Sequence, residues 1–273
     1  MDVSVLVHWI NERQAVSKKK KASRPKPWTD DPIIRDYRFC NVHREDDKVT
    51  QWITSHWRVP NAHDLDFWFA AAVARYVNWP DTLAILEYPI PWSKSHFLKT
   101  LQDIEARGGK VWTGAYIVST NGVKMSKPEY VANLLDNLWQ QRDKIRPTKD
   151  DTLESFYRRL VACNGVGQFM AGQIIADSKY VGLLAVTKDW GTFAISGPGS
   201  RRGMNRLLGR DKNAPISERV WKSNLDKLAD IIATEISFEM HNQDLQNCLC
   251  EYDKYERVRL KEGRPRAKYP GIK

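Results

Sequence analysis

Several groups of side chains in this sequence have the types and spacing to do chemistry. The run Ser196-Gly197-Pro198-Gly199-Ser200-Arg201-Arg202-Gly203-Met204-Asn205-Arg206 sets a glycine turn and paired arginines at the start of a helix. Backbone amides at such a turn and planar guanidinium forks both bind oxyanions. Gly199, Ser200, Arg201, Arg202 and Asn205 are therefore candidate anion ligands, the alternative being a structural turn with surface arginines. The run is not GxxxxGK[ST], so no kinase phosphate loop is read from it. A second group lies between Arg35 and Lys48. There Arg38 and Arg44 suit phosphate, while the carboxylates, Glu45 and Asp47 among them, suit an amine or a metal ion. Equally, Glu45, Asp46 and Asp47 make an acidic first turn for a helix running to Trp57. A third group, Asn164-Gly165-Val166-Gly167-Gln168, joins two helical runs and leaves the amides of Val166, Gly167 and Gln168 at a helix N-terminus, where an anion is favoured. Glu251, Lys254 and Arg257 recur every three residues and read as one helix face, entering a pocket or serving as salt-bridge decoration. Arg264 and Arg266 lie in a basic, extended tail suited to phosphates or a groove.

Helices must position most of these groups. Residues 2 to 16 form a short amphipathic helix (Val5, Leu6, Trp9, Ile10), followed by Ser17–Pro27, six positive charges and two prolines that read as a linker or as an arm along a nucleic-acid backbone. Asn61 to Tyr88 is a strongly apolar helical pair, and Ser93 to Arg107 is amphipathic. From Lys110 to Ser119 the period becomes two, and Asn121-Gly122 then Val123–Ser126 complete a β-hairpin. Helix resumes from Glu129 to Arg142. Leu153, Phe156, Tyr157, Leu160 and Val161 mark one buried face, and Phe169 to Ala176 the next helix. Helices from Ser217 to Ile236 and Phe238 to Tyr255 close the chain. The expectation is a mainly α protein with one β-hairpin. Its segments are an N-terminal helix and basic linker (1–27), a helical domain with the hairpin near 110–127 (28–150), a helix-hairpin-helix catalytic half (151–255) and a basic tail (256–273).

Composition narrows the partners. With 273 residues the chain can bury a substantial core. A net charge of +10 favours a polyanion. Eleven tryptophans and ten tyrosines supply core and leave rings to stack on bases. Cys40, Cys163, Cys248 and Cys250 have no zinc spacing and read as free thiols in a reducing compartment. No apolar run reaches membrane length and no signal peptide is read, so a soluble intracellular protein is expected.

Gly165-Val166-Gly167, with the small Ala171 beyond it, resembles the helix-hairpin-helix of the DNA-glycosylase superfamily, in which the hairpin grips a DNA phosphate. That resemblance implies a catalytic aspartate about twenty residues later, at the start of the next helix. Asp189, next to Lys188, follows Gly167 by twenty-two. Phe169 stands where bifunctional glycosylases carry their lysine, Asn164 where a proline is usual, and there is no four-cysteine iron–sulfur pattern. A DNA-binding scaffold is expected rather than a lyase.

More narrowly, RDYRFCNVHREDDKVTQWI, DWGTFAISGPGSRRGMNRL and LCEYDKYERVR…EGRPRAKY resemble the α-glutamyl/putrescinyl-thymine pyrophosphorylases, the amino acid:DNA transferases of bacteriophage hypermodification. This implies a double-stranded DNA substrate carrying 5-(pyrophosphoryloxymethyl)uracil, made beforehand by a hydroxymethyluracil DNA kinase. An amino acid or polyamine would displace pyrophosphate in the cytoplasm of the phage-infected host. The amine is the co-substrate, no further cofactor is assigned, and Mg is admitted as an aid to pyrophosphate departure. Within this reading Asp189, with Lys188, Glu45 and Asp47, are the catalytic candidates. Arg201, Arg202, Gly199, Ser200, Arg44 and Asn205 hold pyrophosphate. Asn164 to Gln168, with Arg264 and Arg266, hold DNA, and Arg38, Asn41, Glu251 and Lys254 complete the pocket. The rival expectations are a monofunctional glycosylase using the same Asp189 and a non-catalytic DNA-binding module.

Overall fold

The computed structural model describes residues 1–113, 118–120, 122–263 and 268. The described chain is mainly helical: α1 (Ser4–Lys21), α2 (Pro32–Asp36), α3 (Lys48–Ile53), α4 (Phe67–Val77), α5 (Pro80–Leu86), α6 (Lys94–Ala106), α7 (Lys127–Gln140), α8 (Arg142–Ile145), α9 (Leu153–Ala162), α10 (Gln168–Ser178), α11 (Pro198–Leu207), α12 (Glu218–Glu235) and α13 (Asn242–Arg259). It divides into two compact units. The first comprises Met1–Asp47 and Gly191–Lys273, and the second is the intervening Lys48–Trp190. The 28–150 and 151–255 segments expected from sequence therefore each contribute to both units.

The first unit is built from α1, α2 and α11–α13 around a core of Leu6, Trp9, Ile10, Met204, Trp221 and Leu249. The basic run expected to be a linker from Ser17 is still helical as far as Lys21. Lysine is a good helix former, and four lysines in the last turn oppose the negative end of the helix dipole. Beyond it the chain is tied back: Lys19 donates to the Trp28 carbonyl at 2.7 Å, and the Trp28 indole N–H to the Arg24 carbonyl at 2.7 Å. Asp31 starts α2 as expected, accepting the amides of Ile33 and Ile34 at 2.8 and 3.0 Å.

The Gly197–Gly203 segment is not a turn preceding a helix; it is the first part of α11. Pro198 sits where a helix needs no N–H, and the Ser200 hydroxyl closes the start by accepting the Gly197 amide at 2.9 Å. The glycines serve close packing. A Cβ on Gly203 would lie 2.2 Å from the Leu249 carbonyl oxygen, and one on Gly199 2.3 Å from the Cys250 sulfur. Only glycine lets α11 lie this near the backbone of α13.

The second unit centres on α4, whose eleven residues are all buried. One of them is Arg75. Its guanidinium forks onto Asp177 of α10 (2.6 Å to Oδ1, with a shorter bond to Oδ2), and also donates to Thr50 of α3 at 2.8 Å and Asn78 at 3.1 Å. Both charged side chains are essentially sealed from water. In the β-hairpin expected at 110–127, residues 114–117 and Asn121 lie outside the described residues. The described flanks contain no strand; Gly122 has φ +79°, and the Val123 amide donates to the Thr120 carbonyl at 3.0 Å. Among the described residues no helix is long and apolar enough to cross a membrane, and all four thiols are free.

Replacing Asp177 with Asn strands a buried guanidinium charge. Urea denaturation of Asp177→Asn is expected to show a loss of about 3–5 kcal/mol.

Candidate functional site

In the second unit a glycine hairpin joins α9 and α10 as expected, but the Val166 amide is not left for an anion, because it donates to the Cys163 carbonyl at 3.1 Å. Gly165 adopts φ +85°, and a Cβ there would meet a Leu134 methyl at 2.8 Å, so both conformation and space require glycine. Val166 is buried beneath the hairpin, while Asn164, Gly165, Gly167 and Gln168 are exposed. Gly167 is the N-cap of α10 and supplies no side-chain acceptor, and Gly167 and Gln168 are exposed there. Phe169 is 57% exposed beside them. An exposed ring next to a helix N-terminus offers a phosphate and a base separate points of contact.

Asp189 does not begin a helix; it lies in a turn after a short 3₁₀ segment, Gly182–Val186. Its two carboxylate oxygens accept the amides of Leu153 at 2.8 Å and Glu154 at 3.0 Å, the first turn of α9. The loop is fixed from the other side by a reciprocal pair. The Trp190 indole donates to the Lys179 carbonyl at 2.6 Å, and the buried Lys179 ammonium donates to the Trp190 carbonyl at 3.2 Å. Asp189 is thus a half-buried carboxylate of fixed orientation, and Lys188 is exposed beside it. At the same helix start, burial alone would raise the Asp151 carboxyl. The Arg159 fork, the Ser155 hydroxyl and the Thr148 amide outweigh burial and hold it well below the usual carboxylate range.

The remaining candidates belong to the first unit. Most of the chemistry-rich loop at 38–47 is committed to α13. The Cys40 amide donates to Glu251 at 2.9 Å, and Lys254 donates to the Arg38 carbonyl at 2.6 Å and to Glu251 at 3.0 Å. Asn41 donates to the Asp46 carbonyl at 2.7 Å, and the Arg44 amide to Asp244 at 2.9 Å. Glu251, Lys254 and Asn41 therefore have structural duties as loop fasteners. Arg38 and Asp47 are exposed, and Glu45 is half-buried in a 3₁₀ turn, Arg44–Asp46. His43 sits 3.6 Å from Asp244, whose hydrogen bond and charge raise the imidazole pKa above its ordinary 6.5 despite partial burial.

On α11, Ser200 is fully buried and accepts the Trp221 indole at its carbonyl, while Asn205 donates to the carbonyls of Lys212 and Ala214. Arg201 pairs with Glu218 at 3.1 Å, and Arg202 donates its Nε–H to the buried Asp253 at 2.8 Å. Asp253 also holds Arg206 at 3.0 Å. The sequence reading left out both Asp253 and Arg206, although their i→i+4 relations to Arg257 and Arg202 were available as a signal. Arg264 and Arg266 lie outside the described residues. The hairpin and Asp189 fall in the second unit, the arginine helix and the 38–47 loop in the first. Among the described residues no three His, Cys, Asp or Glu side chains are grouped to hold a metal ion.

Known proteins share this sequence pattern. The family described as "5-hmdU DNA kinase, helical domain" matches residues 2–264. Among curated proteins, the "5-hmdU DNA kinase" of Bacillus phage SP10 is 24% identical over a 295-residue alignment that covers 91% of this chain and 44% of the phage protein. The chain thus spans less than half the length of that relative. No solved structure matches.

Because the folded His43 pKa is raised, its pairing with Asp244 contributes fully below the unfolded value and is lost as pH rises through the folded one. Amide exchange of residues 38–47, corrected for its intrinsic pH dependence, is expected to rise as pH passes above 6.5 through that value. In His43→Gln the step should vanish. At the hairpin, Gly165→Ala is expected to weaken duplex DNA binding in an anisotropy titration, and to cost roughly 1 kcal/mol of stability.

Proposed function

The chain belongs to the 5-hmdU DNA kinase helical-domain family, and from that membership we propose that it acts on DNA carrying a 5-substituted uracil, within thymine hypermodification. What carries this reading is the family match across 2–264, which takes in the exposed glycine hairpin, the fixed Asp189 and the arginine helix. The DNA partner is a duplex with the modified base, bound by the helix N-terminus at Gly167 and by the chain's positive excess. The setting is the cytoplasm of a phage-infected cell.

The finer activity is amine transfer. An amino acid or polyamine attacks the methylene carbon of 5-(pyrophosphoryloxymethyl)uracil, a C–N bond forms, the C–O bond breaks and pyrophosphate leaves. The attacking nitrogen must be neutral and must lose a proton as the bond forms. Asp189, oriented by the α9 amides, is the group assigned to hold that ammonium and receive its proton, with Glu45 and Asp47 as the other carboxylates for the task. Charge accumulates on the departing oxygens, and the arginines of α11 suit it. Access to a base substituent favours an extruded nucleotide, and the exposed Phe169 suits contact with a disturbed stack.

A second reading draws support from the SP10 protein's printed name. In it the helical chain grips hydroxymethyluracil DNA and presents the base for phosphorylation, without itself carrying a GxxxxGK[ST] phosphate loop. One experiment separates the two. Purified chain is incubated with pyrophosphorylated hydroxymethyluracil DNA plus mixed amines, or with hydroxymethyluracil DNA plus ATP, and the nucleosides are analysed by mass spectrometry. An amine-bearing nucleoside in the first reaction is the expected outcome. Binding of modified DNA with no new nucleoside in the first reaction supports the presenting role, and a phosphorylated nucleoside in the second would give the chain kinase activity of its own. Released free base would overturn both in favour of a glycosylase. Asp189→Ala is expected to lower transfer about 100-fold while leaving DNA affinity within a factor of about 3.

A further inference from the structure

One cluster of charges in the first unit is not balanced among the described residues. Asp253 of α13 is buried, and three guanidinium groups converge on its carboxylate: Arg202 at 2.8 Å, Arg206 at 3.0 Å and Arg257 at 3.6 Å. Arg206 also reaches Glu262 at 2.5 Å, and Lys212 meets Glu262 at 2.7 Å. Four cations thus face two carboxylates, an excess of two positive charges in one place. Glu262 is pulled down to about 2 by hydrogen bonds from Arg206 and Lys212, so it is a full negative charge and the excess is real at neutral pH.

The donors are also underused. Arg202 spends only its Nε–H on Asp253, and its two terminal nitrogens make no hydrogen bond among the described residues. Arg257 makes none with its guanidinium among the described residues, although its Nε is sealed from solvent. A buried N–H without an acceptor costs free energy, and folded proteins rarely leave one without a ligand or ion to take it. The side chains of Arg202 and Arg257 keep about a third of their surface open to solvent (33% and 35%), so a ligand can reach them. Asp253 acts as the bracket: it grips the guanidinium edges and leaves the terminal forks of Arg202 directed elsewhere. The spacing that builds the bracket is regular, with Arg202 and Arg206 four apart on α11, and Asp253 and Arg257 four apart on α13.

We propose that Arg202, Arg206 and Arg257, bracketed by Asp253, form a phosphate-binding site. An excess of two charges fits a phosphoryl group near −2 better than a single carboxylate, and planar forks match its oxygens in pairs. The site stands on this geometry alone. Assigning its ligand to the pyrophosphoryl group of the modified base rests on the transferase reading above, and a DNA backbone phosphate has the same chemistry.

The test uses the full chain and two probes, inorganic pyrophosphate by calorimetry and an unmodified DNA duplex by anisotropy across a salt series. Arg257→Ala and Arg202→Ala are each expected to weaken pyrophosphate binding roughly tenfold or more. Lys99→Ala, which removes an exposed charge on α6, should leave it unchanged. Arg257→Lys keeps the charge without the fork and should recover only part of the loss. It also stands in for the alanine variant should that fail to fold. If pyrophosphate does not bind but Arg257→Ala weakens duplex binding and lowers the salt slope by about 1, the site holds a backbone phosphate. If neither probe responds to Arg202 or Arg257, the site does not exist. Pyrophosphate binding that depends on Arg257, alongside no amine-bearing nucleoside, would sink the transferase reading and leave the site standing.

Discussion

The second unit depends on one buried ion pair. Arg75 ties α3, α4 and α10 together through Thr50, Asn78 and Asp177, in surroundings that admit almost no water. A buried pair of this kind adds little to net stability, since desolvating both charges offsets most of their attraction. It is highly selective about geometry, because any other register of α10 would leave a charge unmatched. The two ends of α10 carry the candidate chemistry. Its first turn is the hairpin at Gly167, and just beyond its last turn Lys179 clasps Trp190, next to Asp189. Asp189 returns to the start of α9, the helix that leads into the same hairpin. Hairpin and carboxylate are thereby set by one closed circuit of contacts.

The first unit solves its positioning problem with acids on α13. Asp244, Glu251, Asp253 and Glu256 are all buried there, and each has a distinct duty. Asp244 and Glu251 hold the 38–47 loop, Asp253 gathers arginines and Glu256 holds Arg259. Apolar packing supplies the other half of the contact. Gly199 and Gly203 bring α11 against α13 so closely that arginines on α11 reach a carboxylate buried on its neighbour.

Much of the helical layout was legible because apolar spacing and caps are local. The face Leu153, Phe156, Tyr157 and Leu160 was readable in this way, as was the Asp31-Pro32 start of α2. The α11 region was not. Pro198 suits only the first position of a helix and Gly199 and Gly203 carry poor helix propensity, so the close approach of α13 is what accounts for two glycines inside α11. The grouping of Glu251, Lys254 and Arg257 as one face failed for a geometric reason. Three residues fall about 60° short of a full turn, so two such steps rotate Arg257 by about 120° from Glu251. Glu251 and Lys254 go to the 38–47 loop, and Arg257 goes with Asp253, four residues before it. Asp189 is singled out only by its distance from the hairpin, and its placement in a turn rather than a helix depends on Lys179 and Trp190, which no local pattern links.

The interrupted course of the first unit has a consequence during synthesis. Its N-terminal part, through Asp47, is finished 143 residues before the chain returns to it at Gly191. At ordinary translation rates that is an interval of roughly 7–30 s. Throughout it, Leu6, Trp9 and Ile10 of α1 have no α13 to cover them. The apolar face of α1 thus lacks its α13 cover while the 143-residue insert is synthesised, and a holding chaperone has its opportunity in that interval.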